Sequence, residues 1–202
     1  MAWRPFFSWL QSRRTSIRSM SPDIRMESPA SNRLFEPTMD DKRFIADAML
    51  GKLVKWLRVL GIDVVYDPRA TDAQLVCQAA QEDRILLTRD RRLAARRGTH
   101  RRLLIDSDYY HEQVCQVVQR FGLEPEIRVF TRCLRCNTPL CTVSLTAVAA
   151  KVPPYVAATQ TPFKHCATCD RVYWGGTHRE NMLRQLRVML GARCPSRPQP
   201  LQ

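Results

Sequence analysis

Four cysteines carry the most specific chemical pattern in the chain. Cys133-Leu134-Arg135-Cys136 and Cys166-Ala167-Thr168-Cys169 form two C-x2-C pairs separated by 29 residues. Each pair presents two thiolates from a tight turn, and two such turns complete a tetrahedral four-sulfur shell. A full shell leaves no open coordination position, so the expected ion is a structural Zn²⁺. An iron–sulfur cluster accepts the same donors. Cys141, His165 and His178 lie near enough in sequence to substitute in the shell and are read as bystanders.

The second pattern is one of carboxylates. Asp47 ends one apolar run, Asp90 closes the Thr88-Arg89-Asp90 segment after another, and Asp106 and Asp108 follow a further one. Asp72 opens a helix. Ligands of an open parallel sheet bind outside the carboxyl ends of its strands, so these loops deliver acids to one rim. Carboxylates crowded together repel unless a hard cation neutralises them. The expectation is therefore Mg²⁺ or Mn²⁺ on Asp47, Asp90 and Asp108, aided by Asp72, activating water and stabilising charge on a phosphate. The plainer alternative is that acids after strands are helix N-caps. Asp63, Asp67 and Asp83 read as ordinary turn or surface acids.

The cations favour a polymeric anion over a small one. Arg91, Arg92, Arg96, Arg97, Arg101 and Arg102 fill six of twelve consecutive positions, none of which is acidic. A solvated helix face normally mixes its charges. An unmixed run beside acids is suited to a phosphodiester backbone. Lys52, Lys55 and Arg58, opposite the apolar stripe of the preceding helix, are further candidate contacts. Tyr173 and Trp174 would stack on bases or pack a ribbon, and packing is the reading adopted.

The elements that must position these groups alternate. Residues 43–46, 64–66, 85–87 and 103–105 are short apolar runs read as strands. Between them, Met49, Leu50, Leu53, Val54, Leu57 and Leu60 recur at helical spacing up to Gly61. Thr71 and Gln74 have the spacing of a capping box, with Leu75, Val76, Ala79 and Ala80 as the stripe of the helix they open. An Arg-rich helix runs to Gly98, and a last one spans about Tyr109 to Phe121, ending at Gly122. Strands alternating with helices argue an α/β fold with a parallel sheet flanked by helices. The expected organisation is an α/β domain over 43–130, a metal-bound ribbon over 131–183, a basic extension over 1–42 and a loose tail over 184–202.

Composition narrows the function classes. The 202 residues carry 32 Lys and Arg against 19 Asp and Glu, a net charge of +13. A polyanionic partner follows, nucleic acid before an acidic membrane surface. No run approaches the roughly 18 apolar residues of a membrane span. Nucleotide-cofactor readings lack support, since there is neither GxGxxG nor GxxxxGK[ST]. Five of the eight cysteines crowd into a 37-residue window with no signal peptide before them. A disulfide scaffold is thereby disfavoured and a reduced compartment, the cytoplasm, expected. The Arg- and Ser-rich, acid-poor first 20 residues also resemble an organelle transit segment.

FIADAMLGKLVKWLRVLGIDVVYD, ILLTRDRRLA, RCLRCNTPL, VPPYV and CATCDRVYWGGTHRENM occur in the order found in the Mut-seven C-terminal RNase domain family, which the chain resembles from about Arg43 to Leu183. The resemblance implies a PIN-like fold followed by a zinc ribbon, and metal-dependent ribonuclease activity. It implies Asp47, Asp72, Asp90 and Asp108 as the acidic positions and Cys133, Cys136, Cys166 and Cys169 as zinc ligands. Asp106 departs from the pattern and leaves open which of Asp106 and Asp108 faces the metal. The leading expectation is a ribonuclease preferring single-stranded RNA, its ribbon aiding RNA binding. The alternative is a non-catalytic RNA- or ribosome-binding module. An aspartyl-phosphate phosphatase is disfavoured, because Asp47-Ala48-Met49 lacks the second acid it needs.

Overall fold

A computed structural model describes residues 42–96 and 101–192. Arg97 and most of the two terminal segments, residues 1–41 and 193–202, lie outside the described residues. Four strands form one parallel sheet: β1 (Phe44–Ala46), β2 (Val64–Tyr66), β3 (Ile85–Thr88) and β4 (Arg102–Leu104), in the order β2-β1-β3-β4. Ala46 pairs with Tyr66 and with Leu87, and Thr88 pairs with Leu104. All four strands therefore end at one rim.

The central strands are apolar up to the buried Thr88 at the end of β3 because both faces are covered, as a parallel sheet requires. Phe44, Ala46, Val64, Ile85 and Leu87 face helices α1 (Gly51–Val59) and α4 (Tyr110–Phe121). Ile45 and Leu86, half a pleat away, face α2 (Asp72–Gln81) and α3 (Arg91–Ala95) through Leu75, Ala79 and Leu93. The helices obey the local signals. Thr71 and Gln74 make the reciprocal capping box that starts α2. Gly61 ends the α1 turn at φ +86, where a Cβ would lie 2.2 Å from the Arg128 carbonyl oxygen. Only glycine fits there.

The C-terminal ribbon is a three-stranded antiparallel sheet, β5 (Cys141–Val143), β6 (Phe163–His165) and β7 (Val172–Tyr173). Helices α5 (Leu145–Val148) and α6 (Pro154–Thr159) fill the long connection between β5 and β6. Val148, Val152 and Phe163 make its small core. One boundary needs correction. The expected break at 183, with a loose tail beyond it, falls inside helix α7 (Thr177–Ala192). Met182, Leu186 and Met189 are buried in the main core, and the Cys115 thiol donates to the Met189 carbonyl at 3.3 Å. Spacings of four and three residues place that stripe on one helical face.

Candidate functional site

The chain leaves β1 into Asp47, which is 5% exposed and caps the 3₁₀ turn Ala48–Leu50. Its Oδ1 accepts from the Met49 amide at 2.8 Å, and its Oδ2 accepts from the Arg89 amide at 3.1 Å and from the Thr88 hydroxyl. That hydroxyl in turn accepts from the Asp90 amide at 2.9 Å. Asp90 caps α3, its Oδ1 accepting from Arg92 at 2.7 Å and Leu93 at 3.4 Å. The ends of β1 and β3 are thus knitted together by one hydroxyl and a set of backbone amides.

The loop after β4 settles how its two acids differ. Asp106 is turned onto α4, where Gln116 Nε2 donates to its Oδ2 at 2.9 Å. Asp108 is ion-paired with Arg89, whose amide is held by Asp47. Ser107, between them, donates to Glu112 at 2.6 Å and accepts from the Tyr109 amide at 3.0 Å. Asp72 lies exposed in the first turn of α2, 3.8 Å from Arg96.

The expected three-carboxylate cage is not assembled. Among the described residues, the four cysteines alone form a group of three or more potential ligands within 4.8 Å of one another. Amides, a hydroxyl and a guanidinium engage both oxygens of Asp47 and one oxygen each of Asp90 and Asp108, drawing the three acids to separate partners. As arranged, these acids do not fit a caged hard cation. They act as caps and pairing groups.

The cysteine site fits its metal. Cys133 and Cys166 are fully buried. The sulfurs of Cys133 and Cys169 are 3.4 Å apart and those of Cys136 and Cys166 3.3 Å apart. Zn–S bonds of about 2.3 Å span a tetrahedron little larger than this. Each turn closes on a positive-φ residue, Asn137 at +70 and Asp170 at +56. Their amides donate to the carbonyls of Cys133 (3.0 Å) and Cys166 (2.9 Å). Burial pushes the Cys133 thiol up, but the Tyr173 hydroxyl and nearby amides outweigh it and bring it down to about 6. Cys169, half-buried beside the other sulfurs, is pushed up to about 12. A four-cysteine pocket that already favours one thiolate is suited to a cation that displaces the remaining protons. Cys141 and His165 stay outside this group, and His165 instead contacts Asp170 at 2.7 Å. The Tyr173 hydroxyl also accepts from the Leu134 amide at 3.2 Å, so this aromatic packs the knuckle.

The expected cationic contacts divide. Lys52, Lys55, Arg91 and Arg92 are exposed. Arg96 is near Asp72, Arg101 pairs with Asp83 at 2.9 Å, and Arg102 donates to the Arg96 carbonyl at 3.1 Å. The run is unmixed in sequence but mixed in space. Arg58 is a correction. It is 4% exposed, and its guanidinium donates to the carbonyls of Val64, Leu134 and Arg135. It ties α1 to β2 and to the first cysteine turn rather than meeting solvent. Arg89 and Thr88 were not expected at the site. Their signal lies in the same Thr88-Arg89-Asp90 segment, beside the acid that the sequence reading picks out.

No curated protein and no solved structure matches the chain. A family model described as the Mut7-C RNAse domain matches residues 42–186, which takes in the parallel sheet, the rim acids, the cysteine knuckles and the start of α7. The chain belongs to the Mut7-C RNAse domain family.

Proposed function

We propose that the protein is a ribonuclease that takes single-stranded RNA across the carboxyl rim of its parallel sheet and hydrolyses phosphodiester bonds there. The observation that carries this reading is the convergence of Asp47, Arg89, Asp90 and Asp108 at the ends of three neighbouring strands, in a chain of an RNase family. Exposed Lys52, Lys55, Arg91 and Arg92 flank that rim and supply counter-charge for a backbone. Hydrolysis requires a group that takes a proton from the attacking water. Asp108, whose side chain is 76% exposed, and Asp90, whose Oδ2 has no hydrogen-bond partner among the described residues, are the rim acids open to that role. Asp47, buried and saturated with donors, orders the loop. The ribbon, held by Zn²⁺, lies on the same chain as a second RNA-contacting surface. Keeping its thiols reduced suits the cytoplasm, and no described helix is long and apolar enough to cross a membrane.

A second reading is favoured by one observation, the use of the rim carboxylates as caps and ion-pair partners. It is a non-catalytic RNA-binding module. One assay separates the two: cleavage of single-stranded and structured RNA with Mn²⁺, with Mg²⁺ and with neither, comparing wild type and Asp90→Asn. Asparagine caps a helix as well as aspartate, so α3 survives the change and lost cleavage reports on chemistry. The ribonuclease reading expects wild-type cleavage that Asp90→Asn abolishes. Salt-dependent binding without cleavage by either protein would leave the binding module, and equal cleavage rates would remove Asp90 from the chemistry. Mn²⁺ dependence would mean that the acids exchange their present partners for the ion when RNA is bound.

A further inference from the structure

One cation of the chain's own sits among the rim acids. Arg89 leaves β3 with its amide fixed on Asp47 at 3.1 Å and its Nη2 on Asp108. The Arg89 side chain is 25% exposed and that of Asp108 is 76% exposed, so the pair is buried on one side and wet on the other. The Arg89 Nε–H is buried with no hydrogen-bond partner among the described residues. Other described arginines differ. Arg91 and Arg92 project from the exposed face of α3, Arg96 and Arg101 face Asp72 and Asp83, and Arg58 is spent on carbonyls.

We propose that Arg89 is the residue that grips an RNA phosphate at the rim, and that Asp108 holds its guanidinium until the phosphate arrives. This rests on the RNA reading above and names the contact it requires. A guanidinium offers five donors in a rigid fork that matches a phosphate bidentately. Asp108 engages one edge and leaves Nε unspent, so a phosphate makes fuller use of the same group. The exchange is inexpensive because a wet carboxylate returns easily to water. The anchored amide keeps the guanidinium near the rim while only its side-chain torsions change. After exchange, Asp108 stands unpaired beside the bound backbone, as a proton acceptor must.

The test is fluorescence anisotropy on a 2′-O-methylated single-stranded oligonucleotide, which resists cleavage, at several salt concentrations. Proteins are matched for zinc content and melting temperature. Arg89→Met should weaken binding and reduce the salt slope by about 0.7, the value for one phosphate contact on a single strand. Asp108→Asn should tighten binding by up to about fivefold, the scale of one exposed ion pair released. Asp67→Asn, an exposed acid immediately after β2 on the same rim, controls for the loss of one negative charge. In an Arg89→Met background, Asp108→Asn should do no more than Asp67→Asn. If Arg89→Met binds like the wild type, or the Asp108 effect persists without Arg89, the phosphate grip is overturned while the RNA reading stands. A wild type that binds no RNA overturns both.

Discussion

Asp63 shows how a residue's neighbours, rather than its type, set its role. In sequence it is a turn acid before a strand. In the structure it accepts from Arg84 at 2.6 Å and Asn137 at 2.9 Å, with Arg132 at 3.3 Å. Burial pushes its carboxyl up, but the Arg84 and Asn137 hydrogen bonds and the Arg132 charge outweigh it and hold it below the ordinary range. A depressed folded-state value means that Asp63 stabilises the fold fully at pH above its unfolded value. That contribution is lost as pH falls through the folded value. Asp63→Asn should therefore cost about 2 kcal/mol at neutral pH, since it strips charge from a nearly buried network. The variant should also show a flatter decline of stability in acid. Urea melts between neutral pH and pH 3 check both, and an unchanged acid limb would remove Asp63 from the account. None of this was legible in sequence, because Arg84, Arg132 and Asn137 meet Asp63 only after β2 and β3 pair on either side of β1 and the first cysteine turn packs against them.

At the scale of elements, patterning was readable wherever one physical signal dominated. The cysteine pairs point to one four-sulfur metal site, and the apolar runs of β1 and β3 and the Thr71–Gln74 box each carry a single interpretation. Helix α7 does not. Its polar residues outnumber its apolar ones, and the stripe Met182, Leu186, Met189 lies in a stretch rich in arginine. Its helicity comes from tertiary burial against α4 more than from local preference. A Leu186→Ala variant should accordingly cost about 2–5 kcal/mol, as for other fully packed leucines. On a folded unit of this size, each kcal/mol lowers the melting temperature by about 2–4 °C. Calorimetry on the variant and the wild type decides whether α7 belongs to the α/β core. A Leu186→Ala protein that melts with the wild type would return it to a tail. The rim acids were legible only as positions. Their partners were not, because a capping carboxylate and a metal-binding one occupy the same place in a strand–loop–helix sequence.

The whole molecule is held together by contacts that start at the cysteine turn and end inside the parallel sheet. Arg58 of α1 donates to Leu134 and Arg135 at 3.1 and 2.7 Å, between the first two cysteines. Asn137, one residue past Cys136, accepts from the Val64 amide at 3.2 Å through its side chain. The first knuckle is thus part of the edge of the α/β sheet as well as of the four-cysteine group suited to zinc. Structural zinc contributes its binding energy to folding, and here that energy must reach β2. Extraction of zinc with a chelator should lower the melting temperature. It should also raise hydrogen exchange at Val64–Tyr66 along with residues 133–173, while the buried amides of β3 stay protected, being paired on both sides by β1 and β4. Exchange confined to 133–173 would mean that the knuckle stabilises the ribbon alone. On the ribonuclease reading, loss of cleavage after chelation would have two sources, because the chelator that removes zinc also removes any divalent ion bound at the rim with RNA. Adding back Zn²⁺ before Mn²⁺ or Mg²⁺ separates them: restored protection at Val64 without restored cleavage assigns the remaining loss to the rim.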